Sequence, residues 1–132
     1  MAKIKLMGGA LVAFFALNAF AQPANSDDWT HLVSRCSHAS KLVTGAFESY
    51  PNNKSAREGL IEQVLAEIKV SKKLGAKQTP TEVEILITQA SGETLMGAGV
   101  NPKASPNARD WFIAQTAATC ALKTSELKSQ SQ

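Results

Sequence analysis

Few residues of this chain could do chemistry: two cysteines, Cys36 in "SRCSHAS" and Cys120 in "AATCALK", and two histidines, His31 and His38. A nucleophilic thiol needs a neighbouring base and a positive, accessible setting. Cys120 stands among alanines with no histidine near it in sequence. On a helix His31 and His38 would lie about 10 Å apart along the axis, too far to chelate one ion without other ligands. No H-E-x-x-H, G-x-S-x-G, phosphate loop, CxxC or CxxCH pattern is present. These residues predict no catalytic group, no metal site and no cofactor. The chemistry left to the cysteines is a bond to each other, and its prospects depend on where the chain goes and how it folds.

The opening residues address the compartment. "MAKIK" brings two lysines, "LMGGALVAFFALNAF" is apolar except for Asn18, and "AFA" (Ala19 to Ala21) has the small-x-small pattern that precedes cleavage. This is the layout of a secretory signal peptide over 1–21, cut after Ala21. The apolar run is shorter than the ~20 residues of a spanning helix, so no stable membrane insertion is expected after cleavage. The destination is periplasmic or secreted, where disulfides persist. Removal of Lys3 and Lys5 takes 14 Lys+Arg to 12 against 11 Asp+Glu, a mature charge of +1. A nearly neutral chain without Arg- and aromatic-rich patches has no electrostatic footprint for nucleic acid.

The elements that position the cysteines follow from caps and stripes. After a disordered 22–26, the apolar residues Trp29, Leu32, Val33, Cys36, Ala39, Val43, Ala46, Phe47 and Tyr50 recur at helical spacing, with His31, Ser34, His38 and Lys41 opposite. Ser55 with Glu58 reads as a capping box for a second helix, striped by Leu60, Ile61, Val64, Leu65 and Ile68 and stopped at Gly75. The cluster Lys69, Lys72, Lys73 and Lys77 complements the carbonyl end of that helix. In the third segment Val83, Ile85 and Ile87 alternate like a strand. Thr79-Pro80-Thr81-Glu82 nevertheless reads as cap, first-turn proline and N3 glutamate, and Val83, Leu86, Ile87 and Ala90 fit one helical face. A lone strand would have no partner, so this segment is expected to be helix. Ser105-Pro106 opens a fourth helix, with Ile113, Ala117, Cys120 and Thr124 on one face and Ala114, Ala118 and Ala121 beside them.

The predicted fold is all-α: a small antiparallel four-helix bundle over 27–125, followed by a frayed tail over 126–132. In an up-down bundle the first and last helices are antiparallel neighbours, and Cys36 and Cys120 fall at matching heights. A Cys36–Cys120 disulfide follows, closing a loop of about 85 residues and contributing about 4 to 5 kcal/mol in the chain-entropy model.

The same topology brings the first and third loops to one end. These carry Tyr50, Asn52 and Asn53, and Met96, Val100, Asn101 and Lys103. Loops held on a rigid scaffold are where binding concentrates, so these residues are the candidate partner-binding set. In layout (a leader, one disulfide, a short helical bundle) the chain resembles the small helical immunity proteins that neutralise cell-wall-attacking effectors. The resemblance is one of architecture and transfers no residue. It implies an inhibitor or immunity protein that binds another envelope or secreted protein. Two other classes fit the same layout. One is an acid- or stress-responsive periplasmic chaperone. The other is a structural subunit of an envelope assembly, docking through an exposed Leu42 and the alanine face of the last helix.

Overall fold

The computed structural model describes residues 26–73 and 78–130. The predicted leader over 1–21, residues 22–25 of the N-terminal segment and the Gly75 stop lie outside these. The described residues form four helices and no strand: α1 (Ser26–Ser49), α2 (Lys54–Lys73), α3 (Glu82–Gly97) and α4 (Pro106–Gln130). The third segment is therefore helix, as expected, and not strand. By internal contacts the chain divides after Thr30; of the first unit only the opening turn of α1 is described, and the second holds everything from His31 onward. No helix among the described residues is long and apolar enough to cross a membrane.

Helix directions can be read from side-chain pairs. Along α1, Cys36, Ser40, Phe47 and Glu48 meet Cys120, Thr116, Phe112 and Arg109 of α4 in descending order, so the two helices are antiparallel. Glu84 lies against Arg35 and Gly92 against Phe47, so α3 runs with α1. Helix α2 leaves from the end where α1 stops, with Arg57 bonded to Glu93 late in α3, and adds Ile61 and Ile68 to the core of Ala39, Val43, Ala46, Phe47, Ile85 and Phe112.

Between α1 and α4 three layers succeed one another. At the top is the Cys36–Cys120 disulfide, with Cα atoms 5.6 Å apart and both residues buried. Next, Ser40 Oγ and Thr116 Oγ1 lie 2.6 Å apart, their protons shared between each other and the carbonyls of Phe112 and Ile113. Below them the rings of Phe47 and Phe112 tilt at 55° with centroids 5.3 Å apart, a favourable aromatic arrangement. Predicted connectivity and structure agree on the disulfide.

Several local expectations are corrected. Helix α2 is capped by Asn53, whose Oδ1 accepts from Ala56 N–H at 3.0 Å, rather than by Ser55 with Glu58, both of which are exposed. The cap of α3 is Thr81, two residues beyond Thr79: Thr81 Oγ1 accepts from Glu84 N–H while Glu84 Oε1 accepts from Thr81 N–H. This later box places Glu84 where Arg35 can hold it, an advantage the Thr79–Glu82 pair lacks. The buried face of α3 is consequently Glu84, Ile85, Thr88 and Gly92, with Val83 and Leu86 turned outward. In α4 the buried residues are Phe112, Thr116, Cys120 and Ala121, and Ala114 and Ala118 are exposed. Val33 on α1 and Tyr50 just past its end are likewise exposed, while Leu42, expected to be exposed, packs against the core. Helix α4 continues to Gln130, through residues 126–130 that were expected to fray, with Lys123 and Glu126 paired at 3.7 Å.

Candidate binding cleft

At the end where α1 and α3 stop, two turns face each other. The first is built around Pro51, which has no N–H to continue α1. Asn53 N–H closes the turn on Tyr50 O at 3.3 Å, and the Asn53 side chain then starts α2. Arg57 fixes this turn to α3. Its Nη1 donates to the carbonyls of Tyr50 and Pro51 at 2.8 and 3.1 Å, and its Nε and Nη2 donate to the two carboxylate oxygens of Glu93 at 3.0 and 2.8 Å. The guanidinium also lies 5.0 Å above the Phe47 ring centre, a cation–π position. A buried arginine is acceptable here because its donors find acceptors.

The opposite wall is the α3–α4 connection, and its backbone is ordered residue by residue. Ala98 caps α3 and Gly99 takes φ 91°, a conformation that glycine adopts without steric penalty. Gly99 N–H bonds Met96 O and Val100 N–H bonds Leu95 O, the paired arrangement of a Schellman turn. Val100 and Leu95 both pack against the core, and Pro102 is buried. Asn101 Oδ1 then accepts from Lys103 N–H at 2.9 Å, Ala104 N–H bonds Asn101 O, and Ser105 Oγ accepts from Ala108 N–H to start α4 at Pro106. The Ser105–Pro106 signal thus acts as the sequence predicts.

Between the two turns lies an open cleft of about 540 Å³, within the range of small-ligand sites. The first turn and α2 contribute Pro51, Asn52, Lys54 and Arg57; α3 contributes Glu93, Met96 and Gly97; the second connection contributes Gly99, Val100 and Asn101. Of the sequence-predicted residues, Asn52, Met96, Val100 and Asn101 are brought together in its lining. Tyr50, Asn53 and Lys103 are not part of it. Tyr50 and Lys103 have exposed side chains, and the Asn53 side chain is engaged in capping.

Sequence reasoning missed Arg57, Glu93 and Lys54. Arg57 carried a usable signal, since it stands three and four residues before Leu60 and Ile61 and so falls on the apolar stripe of its helix. Glu93 carried none, because nothing local sets it apart from the other glutamates. Elsewhere both cysteines are consumed by their bond, His31 and His38 are exposed on α1, and no group of three or more His, Cys, Asp or Glu among the described residues could hold a metal ion. The chain matches no protein-family model, no curated protein and no solved structure.

Proposed function

We propose that the mature chain is a periplasmic or secreted binding module that takes a segment of another envelope or secreted protein into the cleft at its loop end, as an inhibitor or immunity protein of a cell-envelope enzyme does. One observation carries this reading. Two turns that the sequence marks as candidates meet around a cleft, the first held by Arg57 and the Asn53 side chain and the second by the Asn101 side chain and its own backbone bonds. A preformed recess avoids the ordering entropy that a floppy loop would lose on binding. The compartment is supported by the leader-like N-terminus and by a buried disulfide, which persists in oxidising surroundings.

The test is affinity purification of the tagged mature protein from cross-linked periplasmic extract, alongside a Gly97→Phe variant. Gly97 lines the cleft and an added Cβ there would meet nothing within 4 Å, so a bulky side chain can start at the cleft wall without a clash at its first atom. The reading predicts one stoichiometric partner with the parent protein and none with the variant. A partner retained equally by Gly97→Phe would sink it.

A further inference from the structure

Three charged side chains line the cleft, and two of them cancel. Arg57 and Glu93 form a two-point ion pair, and the remaining nitrogen of Arg57 is occupied by the Tyr50 and Pro51 carbonyls. Lys54 is exposed and pairs with no acid among the described residues. Its charge is therefore the uncompensated one. Asn52 bonds to no other described group, and Asn101, whose Oδ1 is held by Lys103 N–H, keeps its amide NH2 unbonded. Amide donors and one lone cation thus ring the opening. Between them Met96 and Val100 are partly buried against the core and present an aliphatic floor.

We propose that the cleft recognises an acidic residue within an aliphatic stretch of the partner chain, with the carboxylate at Lys54, Asn52 and Asn101 and the flanking apolar side chain on Met96 and Val100. The inference rests on the binding reading above. A sugar or nucleobase would call for an aromatic platform to stack on, and no aromatic residue among the described ones lines the cleft. A bare anion is also a poor match. One exposed lysine raises affinity by only about fivefold, and a volume of about 540 Å³ leaves most of the recess unfilled by a carboxylate alone.

The test is an NMR titration of the ¹⁵N-labelled mature protein with three probes: acetyl-Leu-Glu-Val-amide, acetyl-Leu-Gln-Val-amide and sodium acetate. The proposal predicts saturable shifts at the backbone amides of Asn52, Lys54, Gly97, Val100 and Asn101 with the glutamate peptide. The glutamine peptide should bind about fivefold more weakly, and acetate should not saturate. In Lys54→Glu, checked for an unchanged circular dichroism spectrum and melting midpoint, the preference should vanish or invert. Equal affinity for both peptides, acetate matching the glutamate peptide, or no saturable shift at the cleft would each overturn the proposal. The capture experiment separates this from the broader reading. A partner lost by Gly97→Phe but kept by Lys54→Glu defeats the acidic preference alone, and a partner kept by both defeats the binding site itself.

Discussion

Gly92 has no room for a methyl group. A Cβ there would stand 2.7 and 2.8 Å from two atoms of the Phe47 ring and 3.2 Å from Phe112. Those rings cannot swing clear, since both are fully buried against each other and Arg57 covers Phe47 from another side. Gly59, inside α2 and exposed, is the opposite case: a Cβ would meet nothing within 4 Å. Alanine at Gly59 should stabilise the protein by about 0.5 to 1 kcal/mol through helix propensity. Alanine at Gly92 should destabilise it by about 1 to 2 kcal/mol once overpacking is set against that same gain. Urea denaturation of the two variants reads the difference, and a more stable Gly92→Ala would refute the close approach of α3 to Phe47. In the sequence the two glycines look alike, each lying in a helical stretch. What separates them is which neighbouring helix comes near, a property of the assembled core.

For the helices, the sequence made their number, type and approximate limits legible, because capping residues and apolar spacing act within one element. The rotation of α3 and α4 was less legible. The apolar count favours Val83, Leu86 and Ile87 as the inner face of α3, but the structure turns Glu84 and Thr88 inward. Glu84 is compensated by Arg35 and by Thr81 N–H, and Thr88 Oγ1 donates to Glu84 O. All three arginines of the chain pair with an acid of another helix, Arg35 with Glu84, Arg57 with Glu93 and Arg109 with Glu48, and of these acids Glu84 is the buried one. The Arg35–Glu84 pair overrides the apolar spacing of α3, and its pairing across 49 residues leaves no local trace in the sequence. The disulfide was legible because topology and cap positions alone match the heights of Cys36 and Cys120. It ties α1 to α4 across a sequence separation of 84, and breaking it should lower stability by about 4 kcal/mol. Both sulfurs are buried, so dithiothreitol should reduce the folded protein slowly and far faster once urea opens the bundle. Rapid reduction without denaturant would contradict the burial of this bond.

For the whole molecule, two turns lie at one end of the bundle with a recess between them, and the proposed binding reading rests on that recess. The candidate loops were legible because up-down topology assigns them to one end. The cleft's charged residues were not, since Arg57, Glu93 and Lys54 acquire their roles only when α2 and α3 pack side by side. The most direct test of the account is photo-cross-linking in the cells that make the protein, with benzoyl-phenylalanine placed singly at Asn52, at Asn101, and at exposed Gln63 of α2 as a control outside the cleft lining. The account predicts one discrete cross-linked species from positions 52 and 101 and none from position 63. Cross-linking from position 63 alone, or none from the cleft positions, would contradict it.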